Sequence, residues 1–315
     1  MKKIILSVSG VMTIALLIGT VIYHPKIEVT FLEEGQINNV PYKPESQNEN
    51  EQPQSQQFQP VNSDTITYSL QNDELNITYN HGRDWMTVPI EKDLLFEGEY
   101  QGNKQTLIED SYILTEDRAA FLYSDGPSWD DKRILLIYSL DQGEAWEETV
   151  VSESSPAMRF RKVDFLDDEF GYVIISGGRT MSEEGSRIFL TQDGGGSWEE
   201  TNNLGVTWLI SDGGFIDESV GFLSIGTSDP QEPDLHVTQD AGHTWEKSVF
   251  SVPEKYDRVF VLAEVPVKEE DHLAVLVNQG PNGDYEGGAV KGKFISEDEG
   301  KTWEFLEEVQ PNEAE

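Results

Sequence analysis

The sequence predicts an all-β fold built from repeated four-stranded units, and two internal repeats predict it. The first is a short box, Ser/Thr-x-Asp-x-Gly-x-Thr/Ser-Trp. It recurs five times: Thr78 to Trp85 (with Asn80 in the acidic place), Ser139 to Trp146, Thr191 to Trp198, Thr238 to Trp245 and Ser296 to Trp303. The tryptophans are 61, 52, 47 and 58 residues apart, a period that marks repeated supersecondary units. The second repeat lies upstream of the box. Phe165-Leu-Asp-Asp-Glu-Phe-Gly-Tyr-Val173 matches Phe215-Ile-Asp-Glu-Ser-Val-Gly-Phe-Leu223, with a weaker copy from Leu114 to Leu122. Together they describe an inner strand, an acidic turn, a second and third strand, the box as a turn, and a fourth strand.

Taken in order, the first 26 residues read as a signal-anchor transmembrane helix. Lys2 and Lys3 precede an uncharged run from Ile4 to Tyr23, long enough to cross about 30 Å of hydrocarbon, with the lysines on the cytoplasmic side. No small-x-small cleavage site precedes Pro25, so an uncleaved anchor is expected; cleavage would make the protein secreted. Residues 27–63 are polar, Pro-bearing and poor in aliphatics, the composition of a disordered linker. Residues 64–310 carry the repeats, and 311–315 form a tail. The chain has no cysteine, which excludes disulfides and a lipid-modified cysteine.

Within each box the chemistry is that of a hairpin clamp. An Asp or Asn carboxyl or amide oxygen can accept from backbone amides two residues on, the Gly supplies a positive φ, and the Trp buries a large ring. Asn80, Asp141, Asp193, Asp240 and Asp298, with Trp85, Trp146, Trp198, Trp245 and Trp303, are therefore read as structural. Four-stranded sheets repeated radially make a β-propeller. Five blades are expected, the first one short; six is the alternative if residues 91–112 hide a degenerate unit.

These motifs resemble the Asp-box, or bacterial neuraminidase repeat, propellers, and the resemblance covers Asp64 to Gln310. It implies the fold; the activities of that superfamily diverge. The sialidase branch places an Arg-Ile-Pro near the start of its catalytic domain, and this chain has none. The chain is closer to the non-catalytic photosystem II assembly factor-like and sortilin-like branches. The resemblance thus implies a membrane-tethered, extracytoplasmic, non-catalytic binding or scaffold module for a protein or glycan. A glycoside hydrolase with degenerate catalytic motifs is the second reading.

Net charge is −37, from 59 acids against 22 bases, which opposes nucleic acid and anionic lipid surfaces. The membrane is reached through the N-terminal helix alone. The five histidines show no metal-ligand spacing, and neither a metal nor a cofactor is expected. The candidate binding face is the one opposite the boxes, where the longer loops lie. Arg159 and Arg161 are expected on one side of an inner strand by period-two alternation, with Trp208 and the pair Tyr256 and Arg258 in matching places of later blades. Arginines at a channel mouth suit a carboxylate or phosphate; a salt bridge to a local acid is the plainer expectation. Trp129, in a loop outside any box, is a further contact candidate, packing over its blade edge being the equal alternative.

Overall fold

The computed structural model describes residues 58–100, 102–178, 184–202, 209–226, 230–281 and 283–311. The expected anchor helix and most of the linker lie outside them. Among the described residues no helix is long and apolar enough to cross a membrane. Among the described residues strands dominate, with helix confined to short 3-10 turns at Lys92–Phe96, Glu254–Tyr256 and Tyr285–Gly287.

The strands form five sheets in chain order. The first holds β1 (Thr67–Ser69), β2 (Asn76–Thr78) and β3 (Met86–Thr87). The second holds β4 (Tyr112–Leu114), β5 (Ala119–Ser128), β6 (Asp131–Ser139) and β7 (Glu147–Ser155). The third holds β8 (Met158–Phe165), β9 (Gly171–Gly177), β10 (Gly185–Thr191) and β11 (Glu199–Glu200). The fourth holds β12 (Leu209–Phe215), β13 (Gly221–Gly226), β14 (Leu235–Thr238) and β15 (Glu246–Lys247). Sheets two to four are antiparallel meanders in sequence order. The fifth is larger. It holds β16 (Val249–Ser251), β17 (Phe260–Ala263), β18 (Val267–Glu269), β19 (His272–Gln279), β20 (Lys291–Ser296) and β21 (Thr302–Val309). Here β16, arriving from the fourth sheet, pairs parallel with the outermost strand β21.

Apolar side chains pack the sheets face to face. Period-two alternation sends Phe121 and Tyr123 of β5 toward the first sheet, with Ile77 and Leu75. Ala120 and Leu122 turn to the third, with Val173 and Ile175. A third cluster joins sheets three and four through Tyr172, Ile174, Phe215 and Leu223. A fourth joins sheets four and five through Phe222, Val237, Val275 and Phe294. Middle strands buried on both faces read as continuous apolar runs, as Ile134–Ile137 does. This is a β-propeller-like, all-β architecture.

The first sheet lacks an inner strand among the described residues. Val61 N–H donates to the Tyr68 carbonyl at 2.9 Å, and the Phe58 ring meets Trp85 edge-on at 5.7 Å. The folded part therefore starts before the Asp64 boundary expected from composition.

Each box closes in the same way. The Ser or Thr hydroxyl accepts from the amide four residues on: Thr78 from Gly82 at 3.0 Å, Ser139 from Gly143 at 2.8 Å, Thr191 from Gly195 at 3.0 Å, Thr238 from Gly242 at 2.8 Å, Ser296 from Gly300 at 2.9 Å. The acidic Oδ1 accepts that hydroxyl and also the backbone N–H four residues on, as Asp298 does from Thr302 at 2.8 Å. The reach is four residues, where the sequence reading gave two. The reason is a pair of left-handed residues at the tip. Ala241 (φ 56°) precedes Gly242 (φ 78°), and Glu299 (φ 58°) precedes Gly300 (φ 88°), the geometry that matches strand twist in tight hairpins. Trp85 and Trp303 indoles donate to the Gly82 and Gly300 carbonyls at 3.0 Å, while the buried Trp146 and Trp245 indole N–H groups have no partner among the described residues.

The upstream repeat has its own logic. Asp167 Oδ1 accepts from the Glu169 and Phe170 amides, and Asp217 Oδ1 from those of Ser219 and Val220. At Gly171 and Gly221 a Cβ would meet the Phe165 or Phe215 ring within 2.5 to 2.6 Å, so only glycine lets the second strand start there.

Candidate active site

Inner strands of neighbouring sheets place carboxylates around a lysine. On β8, Lys162 and Asp164 share a side by alternation. Asp110 arrives just before β4, fixed by the Val163 N–H bond to its carbonyl at 2.9 Å. Asp212 arrives on β12. Lys162 Nζ, whose side chain is 15% exposed, lies 2.8 Å from Asp212 Oδ1 and 4.0 Å from Asp110 Oδ2. Asp212 also accepts from its neighbour Gly213 N at 2.8 Å and from Val265 N, past β17, at 3.3 Å. Tyr172 Oη donates to Asp164 Oδ2 at 3.3 Å, and burial pushes that phenol far up.

Beside these groups lies a cleft of about 610 Å³, lined by Tyr68, Tyr112, Asp110, Lys162 and Asp164 among others. Tyr68 and Tyr112 form its aromatic wall, edge to face at 5.5 Å, with Leu107 N–H holding the Tyr68 hydroxyl at 3.0 Å. Burial raises the Tyr112 phenol to about 12. Burial also raises the Asp110 carboxyl; the Asp212, Glu109 and Asp164 carboxylates add to the effect and Lys162 opposes it. Asp110, a carboxyl that holds its proton more tightly, thus shares Lys162 with Asp212, which lies beside the cleft and also accepts from two backbone amides. Among the described residues no group of three or more His, Asp or Glu side chains is placed to hold a metal.

The residues expected from sequence are not brought together. A register irregularity between Met158 and Phe160 makes Arg159 a bulge residue, so Arg159 and Arg161 do not act as a pair. Arg159 Nε binds both oxygens of buried Glu184 at 2.9 and 2.7 Å, and Ser176 donates to the same carboxylate. Arg161 is buried, donating to the Leu95 and Glu97 carbonyls at 3.2 and 2.5 Å; burial lowers it to about 10. Trp208 lies outside the described residues. Tyr256 is buried in its 3-10 turn, donating to Glu308 Oε1 at 2.5 Å beside Tyr285 at 2.7 Å and Lys255 at 3.1 Å. Those donors hold Glu308 down to about 2, which makes it a strap and a poor base. Arg258 is exposed in a left-handed turn (φ 60°), and the Trp129 side chain is 52% exposed.

Sequence reasoning missed the cleft because its members come from separate sheets. It also missed Arg118, which donates to the Gly194 and Asp168 carbonyls at 2.8 and 3.1 Å and stacks on Phe165 at 3.7 Å, pinning the second sheet to the third. The alternation Lys162-x-Asp164, echoed by Asp212 on the next inner strand, was the available signal.

No family model and no curated protein matches the chain. Solved structures similar to it include a GH43_1 enzyme from Xanthomonas citri, at 9% identity over 68% of this chain and 75% of that one, with a TM-score of 0.39. RS223-beta-xylosidase matches at 9% identity over 63% and 77%, TM-score 0.37. A protein of unknown function from Dyadobacter fermentans DSM 18053 matches at 14% identity over 80% and 73%, TM-score 0.38. The non-catalytic binding or scaffold module expected from the sequence is corrected here. Solved structures similar to the chain carry the names of a GH43_1 enzyme and a beta-xylosidase, and the expected arginine grip is absent, Arg159 being held by Glu184 and Arg161 by two backbone carbonyls.

Proposed function

We propose that the chain is a glycoside hydrolase on a five-bladed Asp-box propeller, tethered outside the membrane by its N-terminal segment. The observation that carries the reading is the pair Asp110 and Asp212 on either side of Lys162. Both reach one ammonium, at 4.0 and 2.8 Å, so their nearest oxygens are no more than about 7 Å apart, an upper bound that is compatible with the roughly 5 to 9.5 Å between paired glycosidase carboxyls. Asp110, with its raised pKa, is the proton donor to the leaving oxygen. Asp212, oriented by Lys162 and two backbone amides, is the base or nucleophile, and Asp164 with Tyr172 completes the polar rim. Tyr68 and Tyr112 supply the apolar wall that a sugar ring needs.

The test is turnover by the purified protein on a panel of aryl glycosides. Hydrolysis of at least one member is expected, with Asp110→Asn and Asp212→Asn each losing it. Absence of turnover on every glycoside ends the hydrolase reading. Turnover that survives both substitutions ends the site assignment. The tether is tested separately by whether alkaline carbonate leaves the full chain in the membrane pellet and a chain lacking residues 1–26 in the supernatant.

A further inference from the structure

Trp129 sits at the tip of the β5–β6 hairpin, on the side of the fold opposite the boxes. It is a large apolar side chain half in solvent, at 52% exposure. Its backbone is fixed: the Ala157 N–H donates to the Trp129 carbonyl at 2.8 Å, Ser128 pairs with Asp131 across the turn, and Ser154 Oγ donates to Asp131 at 2.8 Å. Lys132, next along, is buried and bridges Glu97 and the Gly126 carbonyl at 2.8 Å each. The ring itself makes no aromatic or cation contact among the described residues. The adjacent Asp130 carboxylate, also exposed, makes no hydrogen bond or ion pair among them. A rigidly mounted indole beside a free acceptor is a platform for a ring with an apolar face and hydroxyl edges.

The bond to Ala157 also measures where this platform lies. Ala157 leads directly into β8, and five to seven residues later that strand delivers Lys162 and Asp164 to the cleft. At about 3.3 Å per residue this is roughly 17 to 23 Å, the length of several sugar units. A single sugar bound at the acids does not span it. A net charge of −37 disfavours uronate or sulfate groups along that path.

We infer that Trp129 and Asp130 form a distal stacking subsite for a neutral polysaccharide chain that extends from the central cleft. This deepens the hydrolase reading by naming its substrate as an extended neutral glycan. It stands on a separate measurement. Full-length protein, in a detergent without sugar headgroups, is run in native gels containing arabinoxylan, linear arabinan, galactomannan or hydroxyethyl cellulose. Retardation is expected in at least one, weakened about tenfold by Trp129→Ala, the effect of truncating a Trp anchor, and largely kept by Trp129→Phe. Hydrolysis of a short aryl glycoside is expected to be unchanged in Trp129→Ala. Retardation that persists in Trp129→Ala, or absence of retardation in every gel, overturns the subsite. Trp129-dependent retardation without turnover on any glycoside upholds the subsite and ends the hydrolase reading alone.

Discussion

The box turns and the central cleft use the same side chain in opposite ways. In a box the aspartate is saturated: Asp193 takes the Thr191 hydroxyl and the Ser197 amide on Oδ1 and the Ser197 hydroxyl on Oδ2. Asn80 holds the first box with the same Oδ1 bonds, from Thr78, Arg83 and Asp84, so the charge is dispensable there. At the cleft, Asp110 shares the Lys162 ammonium with Asp212 beside it, and Asp110 is left half-exposed with a raised pKa. A carboxylate whose lone pairs are spent on its own turn is architecture; one left short of donors is free for chemistry.

The largest expected effect breaks this contrast directly. Asp110→Asn should lower turnover by about 10²- to 10⁴-fold, the contribution of a positioned general acid, in a protein that still unfolds cooperatively. Asp240→Asn, which recreates the first box, should leave turnover intact and stability within about 0.5 kcal/mol, as at ordinary surface sites. Equal losses of activity in the two variants would erase the distinction between the regions.

A second effect separates the boxes from one another. Trp303 is fully buried between Phe222 and Phe250, whereas Trp85 is half-buried against Phe58. Trp303→Ala should cost about 3 to 5 kcal/mol in urea unfolding, and Trp85→Ala less than half of that. Comparable costs would show the first sheet to be as tightly held as the fifth.

The smallest effect is in pH. The Ser197 hydroxyl and amide hold Asp193 below the usual carboxylate range, and the Thr244 hydroxyl and amide do the same for Asp240. Their stabilisation is present above the unfolded value near about 3.9 and is lost as pH falls through the depressed folded values. Asp110 has the reverse sign. Its raised folded pKa means a contribution that is lost as pH climbs from the unfolded value through the folded one. The same climb removes the proton that catalysis uses. Asp240→Asn should flatten the acid limb of stability, and Asp110→Asn should abolish the alkaline limb of turnover. Acid unfolding of Asp240→Asn that overlays the parent would show that the box carboxylates do not titrate with folding.

The difference between the regions also explains what the sequence disclosed. A box closes within eight consecutive residues, so its type and spacing are visible in one line of text. The inner strands, the acidic turns and the clamp role of Asp141, Asp193, Asp240 and Asp298 were legible for that reason. The candidate site is assembled from Asp110, Lys162 and Asp212, roughly fifty residues apart each, and nothing local marks the two acids among 59. The arginine grip failed on one physical detail. A bulge at Arg159 breaks the alternation that was to pair it with Arg161, and the buried carbonyls of Leu95 and Glu97 claim Arg161.

The Phe58–Trp85 contact gives the chain a mechanical entry point. A pull on the polypeptide from its N-terminal side reaches this ring pair, and then the Gln59–Gln71 and Val61–Tyr68 bonds, before it loads any full strand ladder. The first sheet would peel in steps while sheets two to five, locked through Arg118 and shared apolar faces, still bear no strain.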